Sequence, residues 1–212
     1  MGGMPRRATA KGREENEVEF ARIVAFSDGV FAIAITLLVL DLHIKSGLES
    51  DKEVWNAIGD QWENLLAFGI SFAVIGRFWI VHHRFFGQVT AFDGRLLWIN
   101  LLYLCSIVLI PFSSKVLGEY GSDTAGVVVY AINLSATVLI GLWMAADAQG
   151  AGLTRTGPEE WRAGWITSLY IAAVFLLSIP VAFIAPNLGQ LMWLVLFLNP
   201  SRWLAPRAAS PD

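Results

Sequence analysis

The sequence predicts an all-α integral membrane protein with six transmembrane helices. Hydrophobic residues make up 55% of the 212 residues, and the mean hydropathy is +0.55, whereas soluble domains are about 45–50% apolar. The apolar residues lie in long uninterrupted runs, which is typical of membrane-spanning helices. The connections between the runs are short, so we expect no separate soluble domain and place the function within the membrane.

Six apolar runs account for the predicted helices. Each has roughly 17–24 residues, which is enough to cross a hydrocarbon core of about 30 Å at about 1.5 Å per residue. Pro180 is expected to end or kink the fifth run, and Pro200 falls near the end of the sixth. We therefore expect a flexible N-terminal tail at 1–17, a transmembrane domain at 18–204 and a C-terminal tail at 205–212. The runs cover residues 19–42, 62–82, 96–112, 125–146, 161–184 and 188–204.

The distribution of basic residues predicts the orientation. Arginines concentrate in both tails and in the connections after the second and fourth runs, while the other connections hold only Lys45, Lys52 and Lys115. The positive-inside rule then predicts a multi-pass protein of the cell membrane with both termini in the cytoplasm.

Several function classes lack their sequence signals. The one cysteine, Cys105, excludes a disulfide within the chain. Hydrolase, zinc-protease, Walker and Rossmann motifs are absent, so we do not expect an enzyme. The potassium-filter motif T-V-G-Y-G is also absent. We expect neither a cofactor nor a nucleic-acid partner.

The first run contains a carboxylate, Asp28, within its apolar sequence. A charge at mid-depth costs roughly 2.5–3.5 kcal/mol on insertion scales, so such a group usually faces protein or water and has a partner. Ser27 and Asp28 could cap or bend the helix, or Asp28 could bind an ion directly. We favour a structural hydrogen bond from Asp28 to neighbouring helices.

The end of the second run supplies candidate partners for Asp28. Trp79 and His82 or His83 share a helix face by their spacing, and Arg22 lies close in sequence. The two histidines are adjacent and diverge by about 100°, which is poor geometry for one metal ion, although they could sense protons. Arg77 points elsewhere and needs its own partner or a route to the membrane surface.

A second face of the first run carries Ile33, Thr36, Leu37 and Leu40 at the spacing i, i+3, i+4, i+7. These residues could line a pore in an oligomer, with apolar rings that gate by expelling water and a threonine that faces a passing cation. The same pattern also occurs in ordinary packed helices, and spacing alone favours the packing interpretation.

Two motifs resemble the signatures of the transmembrane protein 175 family, the prokaryotic relatives of the endolysosomal potassium channel. The first, beginning at Arg22, reads R-x-x-x-F-S-D-G-V-F-A-I-A-I-T-L-L, and the second, beginning at Trp79, reads W-x-x-H-H-x-x-F. The resemblance implies a cation channel without the usual filter loop, whose pore is lined by the first helix. Animal members carry two six-helix repeats and dimerise, so a chain with one repeat implies a homotetramer in membrane lipid.

The resemblance also implies roles for individual residues. The constriction and gate map onto Ile33, with further rings at Leu37 and Leu40, and the pore threonine maps onto Thr36. A scaffold that holds the pore helix maps onto Arg22, Ser27, Asp28, Trp79, His82 and His83. We therefore expect permeation by K⁺, with other monovalent cations and protons as competitors.

A proton- or cation-coupled secondary transporter is the alternative. Transporters usually contain inverted repeats and helices broken near the midplane, and neither feature is evident in this sequence. A structural membrane protein without transport is a third possibility, against which a carboxylate within the first run weighs modestly.

Overall fold

The computed structural model describes residues 10–44, 46–155 and 158–197, and their side chains except at 10–17, 158–163 and 197. The described chain is helical apart from its connections and one isolated bridge between Val89 and Thr154. The eight α-helices are α1 (Ala10–Leu37), α2 (Asp51–Gly59), α3 (Trp62–Phe86), α4 (Gly94–Val108), α5 (Ile110–Tyr120), α6 (Thr124–Gly150), α7 (Pro158–Ile184) and α8 (Pro186–Leu191). Two 3₁₀ segments, Leu38–Asp41 and Met192–Phe197, follow α1 and α8.

Five stretches of the described chain are helical, long and apolar enough to cross a membrane: Val18–Asp41, Trp62–Phe86, Gly94–Tyr120, Thr124–Gly150 and Gly164–Ile184. They coincide with the first five predicted spans. The sixth predicted span begins instead as the short α8 and a 3₁₀ segment, and residues 198–204 lie outside the described chain. The sixth membrane helix therefore stays a prediction, as do the extents of both tails.

Several helix ends differ from the predicted ones. α1 begins at Ala10, ahead of the apolar sequence, because residues 10–17 are mostly good helix formers. The third span runs on to Tyr120 rather than ending near Phe112, with a break at Leu109 between α4 and α5. Pro111 does not end it, since a proline in the first turn of a helix loses no hydrogen bond.

The fifth span also continues past its proline. Pro180 lies inside α7, which ends at Ile184. Pro180 therefore does not end this helix, and the kink that was the other expected outcome stays a prediction. Membrane helices tolerate an internal proline because neighbouring groups satisfy the freed carbonyl.

The centre of the bundle is formed by α4, α5 and α6. In the most apolar part of each span, 56% of the residues of Gly94–Tyr120 and 50% of those of Thr124–Gly150 are buried. The corresponding share is only 22% for Val18–Asp41 and for Trp62–Phe86. α1 and α3 pack against each other at the side of the bundle, so large parts of both helices lie uncovered in a single chain.

Candidate pore face and the network behind it

One face of α1 is apolar and uncovered. Ile33 is 60% exposed, Leu37 38% and Leu40 62%, and Thr36 is exposed between them. The stripe continues towards the N-terminus through Gly29, Phe26 and Arg22, which are also exposed. Because successive members are separated by three or four residues, they form one continuous stripe along the helix.

The opposite face of α1 is held against the bundle. Ser27, Phe31, Ala34 and Leu38 are buried there, at the spacing i, i+4, i+7, i+11. This face contacts α3 and α4. α1 therefore has one buried face and one exposed face. Spacing alone could not decide between packing and pore lining for the residues of the exposed face, and in one chain these residues are not part of the core.

α1 ends at Leu37, before the last residue of this exposed face. Residues Leu38–Asp41 form a 3₁₀ turn, although the sequence predicts α-helix as far as Leu42. In a 3₁₀ helix residues i and i+3 are eclipsed and the rise is about 2 Å per residue, so Leu40 lies nearly above Leu37. Short 3₁₀ turns are common at helix C-termini. The two leucines thus project in similar directions at successive levels.

The hydroxyl of Thr36 is oriented by the backbone. Its Oγ1 donates to the carbonyl oxygens of Ala32 at 3.0 Å and Ile33 at 2.9 Å. Since a hydroxyl has one proton and two lone pairs, this arrangement commits the proton to the helix. The lone pairs of an exposed oxygen are then left for another donor or for a cation.

Three buried polar side chains join α3, α4 and α1 behind this face. His82 Nε2 lies 2.9 Å from Asn100 Oδ1, and Asn100 Nδ2 donates to Ser27 Oγ at 3.1 Å. Ser27 Oγ in turn donates to the carbonyl of Ile23 at 3.0 Å. An amide oxygen can only accept, so His82 carries its proton on Nε2. Each group donates to the next in one direction, and the chain ends on the α1 backbone.

Aromatic rings surround His82. Its ring centroid lies 4.6 Å from that of Phe86, 5.3 Å from Phe31 and 5.5 Å from Tyr103, with which it is nearly parallel. His82 is 2% exposed and Asn100 1%. The rings hold the imidazole in the orientation in which Nε2 faces Asn100.

Asp28 has a separate contact. Trp79 Nε1 donates to Asp28 Oδ1 at 2.8 Å, which ties α1 to α3 a second time. The His83 ring lies against Trp79, with centroids 5.6 Å apart. Trp79 was among the candidate partners of Asp28, and the structure selects it.

The other candidate partners of Asp28 are not its partners. His82 turns towards α4, and His83 contacts Trp79 rather than the carboxylate, because adjacent residues diverge by about 100° on a helix. Arg22 is exposed and makes no ion pair or hydrogen bond with any residue whose side chain the structure describes. Its expected scaffold role has no contact in support and stays a prediction.

Asn100 is the residue that sequence reasoning missed. A single amide in an apolar run is typical of residues that join helices, and it gives no sign of which groups it bonds. Among the residues described, no group of three or more His, Cys, Asp and Glu side chains is placed to hold a metal ion.

Comparisons with known proteins show which family has this sequence pattern and this fold. Residues 22–111 match the family model described as the endosomal/lysosomal potassium channel TMEM175. A crystal structure of a lysosomal potassium-selective channel TMEM175 homolog from Chamaesiphon minutus superposes with a TM-score of 0.71 at 30% identity, covering 91% of this chain and 100% of the other. The chain belongs to the TMEM175 family. This confirms the resemblance found in the sequence.

Other TMEM175 relatives agree with the assignment. Potassium channel B446_29190 of Streptomyces collinus is 40% identical over 140 residues, which are 66% of each chain. Potassium channel Cha6605_3372 of Chamaesiphon minutus is 41% identical over 103 residues, 48% of this chain and 51% of the relative. The similarity to these two thus spans between half and two thirds of their length. A structure of the potassium channel MtTMEM175, at 23% identity and a TM-score of 0.63, agrees in fold.

The matched region contains the whole network behind the pore face. Residues 22–111 include α3, α4 and the part of α1 from Arg22 onwards, and therefore Ser27, Asp28, Trp79, His82 and Asn100. The TMEM175 relatives are named as channels, not as enzymes, in keeping with the missing catalytic motifs.

Proposed function

We propose that this protein is a potassium-permeable cation channel whose pore is formed by α1 from four identical chains. The observation that carries the proposal is the division of α1 into two faces. One face is fastened to α3 and α4 through Ser27, and the other leaves Ile33, Thr36, Leu37 and Leu40 uncovered in a single chain. A helix built in this way has its apolar face available for the axis of an assembly.

The names of the relatives support potassium as the permeant ion. The bacterial relatives are named potassium channels. An animal relative, from Gallus gallus, is named an endosomal/lysosomal proton channel and is 33% identical over 111 residues, which are 22% of its length. Potassium and proton permeation must therefore be measured separately for this chain.

In the proposed channel, apolar rings form the gate. Four copies each of Ile33, Leu37 and Leu40 would narrow the pore and exclude water when closed, so a small widening would switch conduction. The Thr36 oxygens, between the Ile33 and Leu37 levels, would offer lone pairs to a partly dehydrated cation. No T-V-G-Y-G filter or resident cofactor is needed.

The polar network has the role of a scaffold in this proposal. Conduction through apolar rings depends on sub-ångström changes in their spacing, so the supporting face of α1 must be held rigidly. The Ser27–Asn100–His82 chain and the Asp28–Trp79 bond attach α1 at two successive residues. We place the channel in the cell membrane with both termini in the cytoplasm, on the evidence of the arginine distribution.

Flux in reconstituted vesicles tests this function. The purified protein would be placed in liposomes, and K⁺, Na⁺ and H⁺ flux measured separately under imposed gradients, with protein-free liposomes as the control. We expect fast K⁺ flux that exceeds Na⁺ flux and needs no counter-gradient. Slow K⁺ flux that requires a proton gradient would favour the coupled transporter, and absence of flux for all three ions would contradict transport.

A further inference from the structure

A cleft separates α3 from the pair α6 and α7. α3 packs against α1 and α5, whereas α7 packs mainly against α6. The cleft has a volume of about 400 Å³ and is lined by residues of all three helices. His82 and Tyr103 also contribute to its wall. It is therefore a lateral opening behind the polar network rather than part of the pore face.

Two arginines line the α3 side of this cleft. Arg77 and Arg84 are two helical turns apart, so they lie on one face about 10 Å from each other along the axis. Neither makes an ion pair with an acidic residue whose side chain the structure describes. Arg77 lies well inside the span Trp62–Phe86, at a depth where an uncompensated charge is costly.

The nearby carboxylates of the described bundle each have a partner other than Arg77 and Arg84. Asp28 accepts from Trp79, Asp93 accepts from the backbone NH of Leu96, and Asp147 pairs with Arg95 at 2.7 Å. The arginines of the cleft therefore need an anion from outside these groups.

The opposite wall suits a lipid. Val138, Met144 and Ile171 line it with apolar surface, and Trp165 and Ser168 add polar groups near the start of the α7 span. A cleft with a basic side and an apolar side matches a molecule that has an anionic head and a hydrocarbon chain. Basic pockets between transmembrane helices are known to hold the head groups of anionic lipids.

We propose that this cleft is a binding site for an anionic phospholipid. The phosphate lies between Arg77 and Arg84, where it forms charge-assisted hydrogen bonds, and an acyl chain packs against the apolar wall of α6 and α7. The site follows from the charges and shape of the cleft in a single chain, so it does not depend on the proposed ion conduction.

Native mass spectrometry of the purified full-length protein tests the site. The protein in detergent would be incubated with equal amounts of dioleoyl-phosphatidylglycerol and dioleoyl-phosphatidylcholine, and the lipid retained per subunit counted. We expect phosphatidylglycerol to be retained about tenfold more than phosphatidylcholine, because both carry a phosphate but only the choline adds a positive charge that the two arginines repel. Arg77→Gln and Arg84→Gln should each remove most of this preference, and Arg77→Lys should keep part of it.

Arg155→Gln is the matched control. Arg155 lies at the same end of the bundle, in the connection after α6, and is exposed outside the cleft, so its loss removes one positive charge without touching the site. Arg84 lies near the end of α3, so Arg84→Gln remains informative if Arg77→Gln does not fold.

Four results would overturn the proposal. They are equal retention of the two lipids, loss of the preference in Arg155→Gln, displacement of the lipid by excess inorganic phosphate alone, and unchanged retention in both glutamine variants. If Arg77→Gln separates the subunits while lipid retention per subunit is unchanged, Arg77 belongs to a contact between copies of the chain instead.

Discussion

Ile33 is the residue on which the proposed gate depends most. It lies well inside the span Val18–Asp41, with more than one helical turn on either side, and its side chain is 60% exposed in one chain. A single polar substitution there changes the wetting of the whole ring, since every subunit of an assembly carries it.

Ile33→Asn should therefore increase leak. Amide groups at the constriction would hold water in it, and a barrier lower by roughly 1.4 kcal/mol gives about tenfold more flux. The measurement is K⁺ and Na⁺ flux in liposomes at equal protein density, with Ile33→Val as the matched control that keeps an apolar ring. If Ile33→Asn and Ile33→Val conduct like the unmodified protein, Ile33 is not the barrier.

Asn100 is the second decisive residue, because it is bonded on both sides. Asn100→Leu would leave the His82 NH without its acceptor and Ser27 without a donor. At roughly 0.6–1.7 kcal/mol for each hydrogen bond in a membrane protein, we expect a fall of about 3–10 °C in the apparent melting temperature.

Thermal unfolding in detergent measures this effect, and Cys105→Ala is its control, since Cys105 lies on the exposed side of the same helix. A melting temperature for Asn100→Leu equal to that of Cys105→Ala would contradict the structural role assigned to the chain of hydrogen bonds.

Residue chemistry also explains what the sequence could and could not predict. The Asp28–Trp79 bond was among the expected contacts, because a carboxylate within a span needs a donor and Trp79 lies at the right level. The choice between His82 and His83 could not be made, since only the packing of α4 determines which one turns inward. Asn100 was missed because an isolated amide in an apolar run carries no sign of its partner.

At the scale of elements, α1 is attached to its neighbours by two short contacts in the N-terminal half of its membrane span Val18–Asp41. One is the buried Ser27–Asn100 bond to α4, and the other is the half-exposed Asp28–Trp79 bond to α3. The more distal residues Ile33 to Leu40 have no comparable polar attachment except through Lys115 and Asp41, whose charged atoms are 4.0 Å apart. The gate thus lies beyond the point at which α1 is fixed.

Asp28→Ala should accordingly harm assembly more than ion preference. The substitution removes the acceptor for Trp79 and loosens α1 from α3, so we expect fewer intact oligomers by size-exclusion chromatography, with unchanged K⁺ over Na⁺ preference in those that form. Asp28→Asn is the control, since it retains an oxygen acceptor without the charge. A fully assembled Asp28→Ala protein with altered ion preference would assign Asp28 to the ion path instead.

The helix ends show which features the apolar pattern of the sequence predicts and which it does not. The five spans were evident from their apolar length, and the predicted end of the fifth at Ile184 agrees with the structure, whereas the third runs on past Phe112 to Tyr120. Pro111 lies in the first turn of α5, where its missing NH costs little, and Pro180 lies inside α7, where neighbouring groups must satisfy the freed carbonyl. The 3₁₀ turn at Leu38–Asp41 had no signal in the sequence.

At the scale of the whole molecule, the proposed assembly would cover the faces of α1 and α3 that are exposed in one chain. α4 to α6 form the centre of the bundle, and in the proposed assembly copies of the chain would join through the less buried helices α1 and α3. Fourfold assembly would place α1 on the axis and leave α6 and α7 towards lipid, where the arginine-lined cleft opens.

The account rests on the claim that the exposed face of α1 lines the pore, and cysteine accessibility tests it most directly. In a Cys105→Ala background, Ile33→Cys is compared with Ala34→Cys, its neighbour on the buried face, while Cd²⁺ is added during K⁺ flux. The account predicts that Cd²⁺ blocks flux through Ile33→Cys channels, because a ring of thiolates binds the ion, and leaves Ala34→Cys channels conducting. Block of Ala34→Cys with no effect on Ile33→Cys would place the pore on the other side of the helix and contradict the account.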